Sequence, residues 1–436
     1  MPTSAPPTSQ RSRSLPSNVS RRRPHAVPAQ AAAPAGWLKW TLAGIGIGAG
    51  AGSVLLTATA ALAAYFARRV VTPAKEREQD LPILAVIRDG MDLEVVLPAT
   101  AETTVPGTYS LFFDKGAGHA VIGGIRSYVP REGTVTREVL RVSGSELAHA
   151  ARGWWSSAVY AGPEDVGLTA EDITLELPVG PAPAWLFRSG TGQRTWAIMV
   201  HGRGASRNEG LRAVRTAHDL GLNSLLLSYR NDGEAPAAGD GRYGLGATEW
   251  PDIEAAIEYA LSQGAKDVVL FGYSMGGAIA LQAADLSKHR NVILAMVLDA
   301  PVISWVDVLA HQAELNRIPA AVGQYGQLML SHPMGRRLTG LAAPVDLKSM
   351  DWVARAVELR TPTLIIHSVD DDFVPYGPSA ELALRNPEMV TIELFSRALH
   401  TKEWNVDPQR WETVVTDWLQ PRLGRHELPR VSGPED

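Results

Sequence analysis

The 436-residue chain contains no cysteine. That excludes disulfides, thiol nucleophiles and cysteine-ligated zinc, and it leaves the redox compartment undecided. The body also lacks a basic stripe. With a net charge of −5 spread along the chain, a dedicated nucleic-acid binder is not expected. The glycine groups "GRG" (202–204) and "GLG" (244–246) lack the spacing of a nucleotide-binding fingerprint.

The first 36 residues have no apolar periodicity and are rich in Pro, Ser, Ala and Arg, so they read as a disordered tail. Residues 41–67 lack charge altogether, a run of 27 positions. About 20 apolar residues suffice to cross a bilayer, so a transmembrane helix is expected over 37–69. Ala58-Thr59-Ala60 and Ala61-Leu62-Ala63 resemble signal-peptide cleavage sites, but the long preceding arm and the length of the run favour a retained anchor. The spacing Gly44, Gly48, Gly52 permits close helix pairing. Arg11, Arg13, Arg21, Arg22, Arg23 and Lys39 precede the run, whereas only Arg68, Arg69, Lys75 and Arg77 follow it. The excess places the amino terminus inside and the body outside the cytoplasm, at the cell membrane.

The 45% apolar share supports a sizeable core, and the body divides in two. Residues 73–80 form a polar linker. Over 81–178, short runs such as "MDLEVVLP", "GTYSLFFD", "VTREVLRV" and "EDITLELPV" are broken by Gly and Pro, which predicts a small β-rich domain. His119 and His149 stand alone there and read as structural. From 185 to 423, apolar strands alternate with helices: "TWAIMVHG", "NSLLLSY", "DVVLFGY", "VILAMVLDA", "TPTLIIHSV" and "VTIELFS" are the strands. Such a pattern means an α/β fold with a mostly parallel sheet covered on both faces. The interval 302–360 lacks strand runs and is too long for a connection. It is expected to be a helical cap, with Trp305, Val308, Leu309, Tyr325 and Leu328 able to line an apolar cavity.

Ser274 closes the strand "DVVLFGY" and opens a small-residue helix, within Gly272-Tyr273-Ser274-Met275-Gly276. This fits G-x-S-x-G, a strand-to-helix corner that exposes the serine oxygen at the carboxyl edge of the sheet. A serine hydroxyl needs a base, and the base needs an orienting acid. Among the histidines after Ser274, His400 lies in a loop between the last strand and the last helix and is the expected base. His367 sits inside an apolar strand; His311 and His332 fall in the cap, within reach of substrate. Asp370, Asp371 and Asp372 follow a strand end and are candidate acids, with Asp299 as a rival.

With these residues placed, the stretch 185–423 resembles the α/β-hydrolase superfamily, in its serine aminopeptidase-like and prolyl-oligopeptidase-like forms. The resemblance rests on "VHGRGASR", "GYSMGG", "HSVDDDFVP" and "ALHTKEWN". The third motif is similar to H-G-x-x-D-x-x-V-P, with Ser368 in place of the glycine, and it implies Asp371 as the acid. The first implies an oxyanion hole built from the backbone amides of Arg203 or Gly204 and of Met275, with His201 structural. No family is apparent over 81–178. The expected activity is that of a membrane-anchored serine hydrolase using Ser274, His400 and Asp371 on a small-molecule or lipid acyl ester, with no cofactor and no metal. A serine peptidase, a thioesterase or an acyltransferase would use the same apparatus. A non-catalytic scaffold, with the β domain binding a partner, is the alternative of a different class.

Overall fold

The computed structural model of the chain describes residues 51–74 and 77–424. The expected tail and the first part of the expected membrane segment lie outside the described residues. Residues Met1–Val54 form one unit and Leu55–Asp436 a second, compact one. The second holds everything described below.

Seven strands make the first sheet: β1 (Leu81–Pro82), β2 (Ala85–Asp89), β3 (Asp92–Pro98), β4 (Tyr109–Phe113), β5 (Gly118–Val129), β6 (Thr134–Gly144) and β7 (Arg152–Ser156). They pair antiparallel in the order β1-β7-β4-β5-β6-β3-β2. Alternate residues face one core, among them Val95 and Leu97, Leu111 and Phe113, Ala120 and Ile122, and Val135, the period of two that a half-covered sheet requires. Arg137 is the exception, a fully buried cation. Its guanidinium donates to the carbonyls of Thr103, Val105, Gly107 and Gly123 at 2.6–3.0 Å, satisfying a group that burial would otherwise penalise. Those bonds fix the loop 103–107, and the loop in turn docks on the larger domain. Thr108 N donates to Asn405 O at 3.0 Å, and Asn405 Nδ2 donates to Thr108 O and Ser157 O at 2.7 and 2.9 Å. Gly107 permits this approach: at φ +117°, a Cβ there would lie 2.2 Å from Asn405 O.

The second sheet contains β8 (Ala170–Leu177), β9 (Gly180–Phe187), β10 (Thr195–Val200), β11 (Asn223–Leu227), β12 (Asp267–Tyr273), β13 (Ile293–Asp299), β14 (Thr363–Ser368) and β15 (Val390–Phe395). Its order is β15-β14-β13-β12-β10-β11-β9-β8. The strands from β10 to β15 are parallel, and β8 and β9 add an antiparallel edge. Here the structure corrects the expected boundary. The run "EDITLELPV", assigned above to the N-terminal domain, opens the larger sheet through a tight hairpin pairing Leu177 with Gly180. An alternating edge strand looks the same whichever sheet it joins, so its pattern carried no assignment. The central strands are apolar on both faces because both are covered. Trp196, Ile198 and Val200 enter one core and Ala197 and Met199 the other.

Helices Trp305–Leu315, Ala320–Ser331 and Arg336–Thr339 occupy the interval expected to form a cap. Tyr325 and Leu328 are half-exposed and line neither cavity described below. Helical periodicity turns Val322, Gly326 and Leu330 inward instead.

The helix Ala51–Val71 changes the reading of the N-terminal segment. Among the described residues no helix is long and apolar enough to cross a membrane. Ala63, Ala67 and Val71, four residues apart, are buried in the core that also holds the cap and one face of the larger sheet. Tyr243 N donates to Val71 O at 2.9 Å, and Arg242 bonds the Thr72 hydroxyl. The expected span to residue 69 is therefore too long at its carboxyl end: residues 63–71 pack against protein. A stripe of small apolar residues suits protein and lipid equally, so hydropathy alone did not separate the two.

Candidate active site

β12 ends at Tyr273 and the helix Met275–Leu286 begins two residues later. Ser274 makes the corner alone, at φ +53° and ψ −116°. A non-glycine residue pays strain there, and the surroundings hold it: Ser274 N donates to Asp299 O, and Ser274 O accepts from Gly277 N and Val302 N, at 3.0–3.1 Å. The flanking glycines act sterically. A Cβ at Gly272 would sit 2.7 Å from Gly276 O, and one at Gly276 would sit 2.1 Å from Val200 O. Gly276 thus clears the end of β10, not Gly272 across the turn.

The three residues expected to act together meet. Ser274 Oγ donates to His400 Nε2 at 2.8 Å, and His400 Nδ1 donates to Asp371 Oδ2 at 2.8 Å. Asp371 Oδ1 accepts from the amides of Phe373 and Val374, both at 2.8 Å. The Asp371 side chain is fully buried while His400 keeps 17% exposure, so the carboxylate is shielded and the imidazole opens to the cleft. Burial pushes the Asp371 carboxyl upward, but the His400 charge and hydrogen bonds from His367 and His400 outweigh it. The net result is a carboxylate held well below its usual range. Phe373 packs on the His400 ring, with centroids 5.2 Å apart. Asp370 and Asp372 are used locally, accepting from Arg397 N and His400 N.

Asp299, the rival acid, is engaged elsewhere. It accepts from Trp411 Nε1 at 3.0 Å and lies 3.7 Å from Arg212. His367 was not expected at the site, yet its Nε2 reaches Asp371 Oδ2 at 3.2 Å and Val374 O at 3.1 Å, while Nδ1 meets Ser379 Oγ at 2.8 Å. The signal was its position four residues before Asp371, across the strand end. Glu403 was also missed. Burial first, then Asp299 beside it, pushes its carboxyl well above the ordinary range, and its Oε1 accepts from Ser368 N at 2.8 Å. His311 and His332, expected near substrate, line neither cavity described below. His201 is buried against Asp232 and stacked on Tyr229.

The first helical residue, Met275, has a backbone N–H without an intrahelical acceptor, beside the serine and at the positive end of the helix. In the facing loop, Gly202 N donates to Glu209 Oε2 at 2.7 Å. Arg203 N in the same loop has no hydrogen-bond acceptor among the described residues. Gly204 lies at φ +68°, where glycine is favoured. The Arg203 side chain runs the other way and caps the first helix, donating to Val70 O and Arg69 O at 2.7 Å each. A cation at a helix carboxyl end is favourable, and the contact ties the N-terminal helix to the loop 202–204. Arg77 clamps the same loop by donating to Gly204 O at 2.8 Å.

Two cavities adjoin this centre. A polar one of about 280 Å³ holds Ser274 and His400 in its wall. A largely apolar one of about 330 Å³ lies between the cap and the first helix, lined by Phe66, Trp305, Val308, Leu309 and Leu330 among others. They share Arg203 and Phe373.

A strained serine corner with a histidine and a carboxylate in line, at the carboxyl edge of a mostly parallel sheet, defines a serine-hydrolase type of site. The model of the alpha/beta hydrolase family matches residues 197–425, and the chain belongs to that family. Residues 82–156 match a domain of unknown function, DUF8805. The chain is similar to a pimeloyl-[acyl-carrier protein] methyl ester esterase of Aromatoleum aromaticum, 26% identical over 172 residues that cover 32% of this chain and 69% of the relative. Among solved structures, the esterase Pf2001 of Pyrococcus furiosus aligns at TM-score 0.46 and 18% identity, over 60% of this chain and 94% of its own. A thermophilic esterase of Thermogutta terrifontis aligns at TM-score 0.41 and 19% identity, over 58% and 99%.

Proposed function

We propose that the protein hydrolyses carboxylic esters through Ser274, His400 and Asp371. The observation that carries this is the unbroken chain from Ser274 Oγ through His400 to buried Asp371, each link 2.8 Å, opening on a cavity. His400 takes the serine proton as Oγ bonds to the acyl carbon, and Asp371 stabilises the imidazolium. The amides of Met275 and Arg203 bind the oxyanion, each such donor contributing about 3–4 kcal/mol in the transition state. The carbon–oxygen bond to the alcohol breaks, and His400 passes its proton to the leaving oxygen. Water, deprotonated by His400, then cleaves the acyl-serine, releasing the acid and restoring Ser274. A panel of matched ester, thioester and anilide substrates tests the reaction class: fastest turnover of the ester supports it, and turnover of the anilide alone contradicts it.

The apolar cavity is read as the acyl site. Trp305→Ala and Leu309→Ala are expected to move the preferred acyl length, by about tenfold in the ratio of kcat/KM between short and long esters, with little change in labelling by a small fluorophosphonate. An equal loss on every substrate would instead mark a damaged fold.

Membrane attachment rests on the charge-free sequence ahead of the packed part of the helix Ala51–Val71. Residues 41–58 carry no charge and as a helix would span about 27 Å at about 1.5 Å per residue, close to the roughly 30 Å hydrocarbon core. With more basic residues before the run than after it, the body would lie outside the cytoplasm. Protease added to intact cells should then digest the body; protection until lysis would reverse the assignment.

A further inference from the structure

We propose that the N-terminal sheet builds the leaving-group subsite, and that this subsite takes a neutral, polyhydroxylated alcohol of the glycerol or sugar type. The inference rests on the ester-hydrolase reading above. The polar cavity is walled on one side by Ser274, His400, Thr401 and Lys402, and on the other by Glu102, Trp155, Ser156 and Ser157. The second group comes from the β3–β4 loop and from β7 with the residue after it. The seven-stranded domain is therefore part of the active-site wall, held there by contacts of its Gly107 loop with Asn405, which follows His400 in the chain.

Chemistry decides which half of the substrate lies in this cavity. The alcohol oxygen must take its proton from His400 Nε2, so it leaves within hydrogen-bond reach of that atom. His400 lines the polar cavity and not the apolar one. The alcohol therefore departs into the polar cavity, against the N-terminal domain, and the apolar space beyond Phe373 remains for the acyl chain.

Charge decides what kind of alcohol. Arg77, Arg203 and Lys402 share the wall with Glu102, Glu209 and Asp372, and each is already matched. Lys402 Nζ contacts both Glu102 oxygens at 2.9 and 2.7 Å. Arg77 and Arg203 donate to backbone carbonyls, while Glu209 and Asp372 accept from backbone amides. No net charge remains to select an anion or a cation. What remains are spare carboxylate lone pairs and the hydroxyls of Ser156 and Ser157. Donors and acceptors interleaved in this way suit hydroxyl groups, each of which gives and accepts. A methyl ester would leave them unmet.

The test compares glyceryl monodecanoate with methyl decanoate on the full chain. The wild type is expected to favour the glyceryl ester about tenfold in kcat/KM, the usual worth of one hydrogen bond to a charged group. Glu102→Gln should pull that ratio toward one, and Ser157→Ala should lower it independently should the first variant fold poorly. The fluorophosphonate labelling rate reports whether each variant keeps its catalytic centre. A wild type without preference, or variants that slow both esters equally, would overturn the subsite. Absence of both labelling and ester turnover in the wild type would instead remove the ester-hydrolase reading on which it stands.

Discussion

Replacing Ser274 by alanine is expected to lower ester turnover by about a millionfold, to the residual rate that binding and the oxyanion donors provide without a nucleophile. Labelling by a fluorophosphonate should vanish with it. The thermal transition should hold or rise slightly, because Ser274 is 8% exposed and among the described residues its hydroxyl bonds only to the partly exposed His400. Steady-state kinetics and a melt on the same preparation check both. Turnover retained within tenfold of wild type would mean the chemistry lies elsewhere.

Asp371→Asn should cost about ten-thousandfold in kcat, since an amide holds the imidazole in the wrong tautomer and cannot stabilise its charge. Asp299→Asn separates the two acids. It should leave kcat within about tenfold and lower the thermal transition, because Asp299 is bonded to Trp411 and lies near Arg212 rather than His400. The reverse pattern would make Asp299 the acid. Asp371 also has a signature in pH. Its carboxyl is held below the usual range, so its contribution to stability is complete above the unfolded value of about 3.9 and is lost as pH falls through the folded one. The stability gap between wild type and Asp371→Asn should accordingly be widest near neutrality and close in acid, as read by denaturant melts across pH.

The central strands and the serine corner were legible in the sequence because both follow from local rules. β12 begins at Asp267 and ends at Tyr273, where the apolar run "DVVLFGY" predicts, and the glycines around Ser274 are demanded by backbone closeness within a few residues. His400 was found by elimination along the chain, because a loop after the last parallel strand returns to the same sheet edge. Asp371 among three neighbouring aspartates needed a motif, since spacing within one loop says little about which carboxylate turns inward.

Other features lay beyond local pattern. β8 carries the alternation of any antiparallel edge strand, and only its pairing with β9 assigns it. The stripe Ala63, Ala67, Val71 reads as lipid-facing until the protein surface opposite it is known. His367 and Glu403 make buried hydrogen bonds to Asp371 and to the Ser368 amide, and long-range polar burial leaves no periodicity in a sequence. The place of the N-terminal sheet in the cleft depends on Asn405 and Gly107, nearly 300 residues apart. Gly107 belongs to no motif, and the motif that ends on Asn405 was read for His400 alone.

The central claim is that Ser274 is the nucleophile, activated through His400. The most direct measurement is mass spectrometry of the full chain after reaction with a fluorophosphonate at neutral pH, with the adduct mapped by peptide fragmentation. One adduct per chain on Ser274, absent in His400→Ala under the same conditions, is the predicted result. Stoichiometric modification of another serine, or labelling of Ser274 undiminished in His400→Ala, would contradict it.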